Sequence, residues 1–124
     1  MNKLYLKDKL SIIKLAIFDF DGVFTDNKVL VSENGIESVS CCRSDGIGIS
    51  RIATIGIKSY VVSTEKNPVV KVRCKKLNVP VIQGVNNKLE AIKGLCKSLN
   101  VTSEECFEAI FLMCSARTLT PSPV

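Results

Sequence analysis

The chain has 124 residues, six cysteines, no histidine and a formal net charge of +5. That length supports one domain with a core of modest size. The missing histidine excludes a Ser-His-Asp triad, a Cys-His pair and imidazole acid-base chemistry within the chain. Near the C-terminus the longest apolar run, Ala109 to Cys114, is six residues, against the roughly 20 that span a bilayer. The opening MNKLYLKDKLSIIK scatters lysines among apolar residues, unlike a secretory signal, so a cytoplasmic protein without membrane association is expected.

In chain order, Lys14 to Phe20 (KLAIFDF) is a short apolar run ending in acidic residues and glycine, as in a buried parallel strand. Residues 27–43 alternate around Asn34-Gly35, a strong hairpin signal, so a β-hairpin insertion is expected there. Asp45 is placed to cap a helix that stops at Gly56. Ile57 to Val62 reads as a second buried strand. Asn67 and Pro68 then suit the N-cap and first position of a helix over VVKVRCKKL. A third strand is expected over Val79 to Gln83. Lys88 to Leu99 follows as a helix with Leu89, Ile92, Leu95, Cys96 and Leu99 on one face. Thr102 and Glu105 form a capping box for one more short helix, and AIFLMC reads as a last strand. Strands alternating with helices argue for an α/β fold, a three-layer Rossmann-like parallel sheet in one domain over 1–124.

The cysteines show no C-x-x-C spacing and read as buried reduced thiols. The densest basic group, Lys71, Arg73, Lys75 and Lys76, lies on one predicted helix without stacking aromatics. It reads as a solvated face or a contact for an anionic small molecule, and nucleic acid is not expected. In open α/β sheets ligands sit beyond the carboxyl ends of the strands. Here those ends carry Asp19, Asp21 and Thr25, then Ser63 to Lys66, then Gly84 to Lys88. A carboxylate so placed can attack phosphorus, and a second can protonate the leaving oxygen and later activate water. A hydroxyl and an ammonium can hold the phosphoryl oxygens.

The ordered set resembles the haloacid dehalogenase superfamily, whose Asp-x-Asp-x-(Thr/Val)-x-(Thr/Val) motif is matched by Asp19 to Thr25. Within it, the chain is similar to the small capless group that hydrolyses octulosonate and nonulosonate phosphates. The segments DGVFTD, RSDGIGI, VVSTEKNPVV, RCKKL and QGVNNKLEAI carry the resemblance from Lys14 to about Phe107. It implies Asp19 as nucleophile and Mg²⁺ ligand, and Asp21 as general acid/base with its backbone carbonyl on the metal. It further implies Ser63 and Lys88 as phosphoryl-binding groups, and Glu65, Arg73 and Lys76 as substrate contacts. Thr64-Glu65 replaces the Gly-Arg pair usual in octulosonate enzymes, which leans towards nine-carbon sugar acids. The implied partners are a phosphorylated sugar acid and further copies of the chain in a homotetramer. Val29, Leu30, Val31, Ile36 and Val39 give the hairpin the apolar surface such an assembly would cover.

The family's fourth motif, Gly-(Asp/Asn)-Asp-x-x-Asp after a strand, has no counterpart. The last acidic residue is Glu108, and residues 108–124 read as an aberrant tail on a C-terminally incomplete sheet. A frame-shifted or truncated end of an active ancestor accounts for this, since the upstream catalytic residues are intact. The alternative is a non-catalytic oligomerisation module of the kind associated with acylneuraminate cytidylyltransferases.

Overall fold

The apolar run between Lys14 and Asp19 forms strand β1 (Leu15–Phe18). The computed structural model describes residues 11–109. It places β1 inside a four-stranded sheet of order β5-β4-β1-β6, with β4 (Lys58–Val62), β5 (Val81–Ile82) and β6 (Cys106–Ala109), every pair parallel. Helices α1 (Ser44–Thr54), α2 (Val69–Leu77) and α3 (Lys88–Ser98) connect the strands.

Side chains alternate across a strand, so each face of the sheet collects its own core. Leu15 and Ile17 of β1 and Val62 of β4 pack with Ile92 and Leu95 of α3. On the other face Phe20, Phe24 and Val61 pack with Val70, Cys74 and Leu77, and Ile49 of α1 joins them. The expected three-layer α/β architecture is what forms. The chain steps from β1 to β4 to β5 in one direction, then crosses to lay β6 on the other side of β1. Winding therefore reverses at β1, and its carboxyl end is the switch point of the sheet.

Several local expectations are sharpened. The hairpin pairs β2 (Leu30–Val31) with β3 (Glu37–Ser38), and a Thr25–Cys41 bridge closes its base. Its turn is a three-residue loop. The Gly35 N–H donates to Ser32 O (2.9 Å) and the Ser32 N–H to Ile36 O (3.0 Å). Only Gly35 of the Asn-Gly pair takes positive φ (+83°), whereas a two-residue type I′ turn needs it at both. Asn67 caps α2 as expected: its Oδ1 accepts from the Val69 N–H (3.0 Å), and Pro68 is already helical.

Four readings are corrected. Asp45 lies inside the first turn of α1, which has no side-chain cap, and there it faces the positive end of the helix dipole. Leu89 is 58% exposed, while Ile92 and Leu95 are 5% and 8%. It sits in the first turn of α3, beyond the strand ends, where there is no sheet to cover it. Among the described cysteines only Cys74 is buried; Cys41, Cys96 and Cys106 are partly covered and Cys42 is exposed. The last strand begins at Cys106, before AIFLMC, of which only Ala109 lies within the described residues.

The entries of β1 and β6 are tied together. The Lys14 N–H donates to Glu105 O (2.8 Å) and the Lys58 N–H to Lys14 O (3.0 Å). The Lys14 ammonium pairs with the Glu105 carboxylate, which also accepts from the N–H and hydroxyl of Thr102, each at 3.0 Å. The Lys14 ammonium first, and the Thr102 donors next, hold the Glu105 carboxyl down to about 2.

Ile92→Ala should cost about 2–5 kcal/mol in urea unfolding, whereas Leu89→Ala should change stability by less than about 0.5 kcal/mol. A carboxyl depressed on folding stabilises fully above its unfolded value of 4.5, and that contribution is lost as pH falls towards about 2. Glu105→Gln should therefore lower the urea midpoint at pH 7, and the difference from the parent chain should vanish near pH 2.

Candidate active site

Asp19 is the first residue past β1 and Lys88 the first residue of α3. The Asn87 side chain caps α3 by accepting from the Glu90 N–H (3.1 Å), so the helix starts with Lys88 held at the strand ends. The Lys88 ammonium lies 2.9 Å from Asp19 Oδ1, with the two side chains 23% and 17% exposed. The Phe20 N–H also donates to Oδ1 (2.8 Å). Both contacts fall on one oxygen, which leaves Oδ2 as the available nucleophile.

Asp21 sits in the turn that follows. Its Oδ1 accepts from the Thr25 hydroxyl (3.4 Å), and Thr25 Oγ1 in turn accepts from the N–H groups of Gly22 (3.2 Å) and Asn27 (3.1 Å). Thr25 is 8% exposed. It organises the turn from Asp21 to Asn27, a job its place in the motif signals but does not explain. Burial pushes the Asp21 carboxyl up from 3.8; the Thr25 hydrogen bond opposes this, while the charges of Glu65, Asp19 and Glu37 add to it. A carboxyl so raised is suited to carry a proton.

Ser63 follows β4 and is 2% exposed. With Phe18 beside Val61, the register sets Ser63 just beyond Asp19 on the adjacent strand. Its Oγ accepts from the Glu65 N–H (3.1 Å). The hydroxyl proton stays available for an anion. Glu65 Oε1 accepts from the N–H groups of Lys66 and Asn67, both at 2.9 Å, folding the carboxylate over its own loop. The Gln83 carboxamide, on the residue after β5, reaches across to donate to Glu65 O (3.0 Å) and Asn67 O (3.2 Å). Sequence reasoning missed Gln83, whose only signal was a polar residue ending an apolar strand.

The structure thus brings Asp19, Asp21, Ser63, Lys88 and Glu65 to one end of the sheet. Two expected contacts are not brought there within the chain. Arg73 Nη2 donates to the Cys42 carbonyl (2.9 Å), bracing the hairpin exit against α2. Lys76 is exposed in the last turn of α2. At about 1.5 Å rise per residue that is about 10 Å along the helix from its site-facing end.

A divalent cation was expected on Asp19 and the Asp21 carbonyl. No group of three His, Cys, Asp or Glu able to hold a metal occurs among the described residues. Asp19 already pairs with Lys88, and no acidic residue follows Glu108 in the sequence. Asp19 and the Asp21 carbonyl are the groups among the described residues that would hold such an ion, which takes one or two carboxylates and completes its shell with waters and phosphate oxygens. No helix among the described residues is long and apolar enough to cross a membrane.

No family model matches the chain. It is 33% identical over 101 residues to 3-deoxy-D-manno-octulosonate 8-phosphate phosphatase KdsC of Salmonella typhi, covering 81% of this chain and 54% of that protein. The KdsC protein of Escherichia coli K12 is likewise 33% identical, over 97 residues, covering 77% of this chain and 52% of its own length. The chain therefore spans about half the length of these relatives. The Moraxella catarrhalis octulosonate 8-phosphate phosphatase, solved with magnesium, phosphate and KDO, superposes with a TM-score of 0.79 at 28% identity, covering 86% of this chain and 62% of that one. The cobalt-bound Haemophilus influenzae phosphatase superposes with a TM-score of 0.74 at 32% identity, over 81% and 59% of the two chains. With the Asp19-to-Thr25 motif at the switch point, these similarities make the chain a member of the haloacid dehalogenase superfamily, similar within it to the octulosonate 8-phosphate phosphatases.

Proposed function

We propose that the chain hydrolyses a phosphorylated sugar acid, of the octulosonate 8-phosphate or nonulosonate 9-phosphate type, through an aspartyl-phosphate on Asp19. The observation that carries this reading is the Asp19–Lys88 pair at the carboxyl end of β1, with the Ser63 hydroxyl on the adjacent strand. Asp19 Oδ2 attacks phosphorus as the bond to the sugar oxygen breaks, and Asp21 gives its proton to that oxygen. Water then attacks phosphorus, Asp21 takes a proton from it, and phosphate leaves with Asp19 restored. The Lys88 ammonium and Ser63 hydroxyl hold the non-bridging oxygens throughout. Glu65, beside Asp21, is the residue best placed to meet the sugar acid.

The hairpin supports self-association. Val29, Leu30, Val31 and Ile36 are each more than half exposed, from 52% to 75%. Strands of two residues are too short to be stable alone. We propose that residues 27–43 are an insertion whose apolar side is covered by another copy of the chain.

Phosphate release from octulosonate 8-phosphate and nonulosonate 9-phosphates, with and without Mg²⁺, tests the reaction. Release from at least one that disappears in Asp19→Asn is expected, and no Asp19-dependent release from any would sink the reading. Asp21→Asn should slow phosphoenzyme formation about 10²–10⁴-fold. A group that acts as an acid works only while protonated. Single-turnover phosphorylation by the parent chain should fall as pH rises through the raised Asp21 value, and Asp21→Asn should lack that limb. In size-exclusion chromatography Leu30→Asp should reduce the oligomer to monomer.

A further inference from the structure

We propose that Gln83 is a positioning residue: its carboxamide locks the segment from Thr64 to Asn67 in the shape that presents the Glu65 carboxylate to substrate. The Ser63 end of this loop is held by main-chain bonds to β5 and just beyond it, Ser63 N–H to Ile82 O (2.9 Å) and Val85 N–H to Ser63 O (3.2 Å). Past Ser63 the chain leaves the ladder. Its curl then rests on bonds internal to the loop: Glu65 N–H to Ser63 Oγ, and Lys66 and Asn67 N–H to Glu65 Oε1. Each of these fails if the loop opens.

What holds the loop shut comes from the two residues just past β5. The Gly84 N–H donates to Glu65 O (3.1 Å), and Gln83 Nε2 donates to Glu65 O (3.0 Å) and Asn67 O (3.2 Å). Asn67 O also accepts from the Val70 N–H (3.3 Å), so one side chain joins the middle of the loop to the first turn of α2. Two carbonyl oxygens face the same end of the carboxamide, which must therefore be its nitrogen. The other end, Gln83 Oε1, is buried with no hydrogen-bond partner among the described residues. A buried acceptor without a donor is costly, and the conformation is kept by what the nitrogen does. On its outer side the loop borders an open cavity of about 380 Å³ lined by Lys66, Pro68, Lys71, Gln83 and Gly84. Support on that side is thus thin.

The kinetic consequence rests on the phosphatase reading; the structural one does not. The test uses the full chain, Gln83→Leu, which removes the donor, and Gln83→Glu, which keeps the shape but turns an acceptor towards two carbonyls. Amide hydrogen exchange at Glu65, Lys66 and Asn67 should quicken on the order of 10-fold in both variants at neutral pH. Val61 and Val62 should keep their protection. Acid should restore protection in Gln83→Glu, whose protonated carboxyl has an O–H to donate, and not in Gln83→Leu. Unchanged exchange at Lys66 and Asn67 overturns the proposal, as does an equal loss at Val61 and Val62. With octulosonate 8-phosphate, Gln83→Leu should raise KM about 10-fold at nearly constant kcat, and p-nitrophenyl phosphate, which has no sugar acid, should be unaffected. A loss in kcat alone overturns it. If the parent chain releases no phosphate, the phosphatase reading fails and hydrogen exchange alone decides the role of Gln83.

Discussion

The structure depends on burying β1 from both sides and along both faces. Leu15, Ala16 and Ile17 are 0%, 4% and 2% exposed, with β4 on one edge and β6 on the other. A strand so enclosed has no room for an unpaired charge, because burying one is costly unless it is paired and hydrogen-bonded. The first carboxylate can therefore come only where the strand leaves the sheet, and that place is Asp19. Reversal of winding at β1 leaves a crevice at the same end. Burial of one strand thus determines where the chemistry sits.

The chemistry then follows from unequal surroundings for two like groups. Asp19 is met by the Lys88 ammonium at 2.9 Å, brought by the first turn of α3. Asp21 has no such cation among the described residues; burial and the neighbouring carboxylates raise it, and one long hydrogen bond from Thr25 works against them. Two carboxyls two positions apart thereby meet different surroundings, one paired with an ammonium and the other raised by burial. The difference is made by elements remote in sequence, α3 on one side and the Glu65 loop on the other.

The far side of β1 is less provided for. β6 pairs with it in parallel up to Ala109 beside Phe18, the last pair among the described residues. No acidic residue follows Glu108 in the sequence. The electrostatics at the site end of the sheet rest on Lys88 as the charge opposite Asp19, and a lysine supplies one positive charge where a dication would supply two.

By itself the sequence determined the alternation of strands and helices, the Asp19-to-Thr25 motif, the Asn67-Pro68 helix start and the arrival of Ser63 and Lys88 at strand ends. These are local properties, set by apolar periodicity, capping chemistry and the spacing of polar residues. Only the tertiary structure decided the rest. It left Leu89 exposed where helical periodicity would bury it, because the sheet ends before the first turn of α3. It committed Arg73 to the Cys42 carbonyl and carried Lys76 to the far end of α2. It also drew Gln83 across to the Glu65 loop and raised Asp21 above its ordinary value. Each of these turns on which side chains meet across the packed layers, and a distance through space has no trace in the order of residues along the chain.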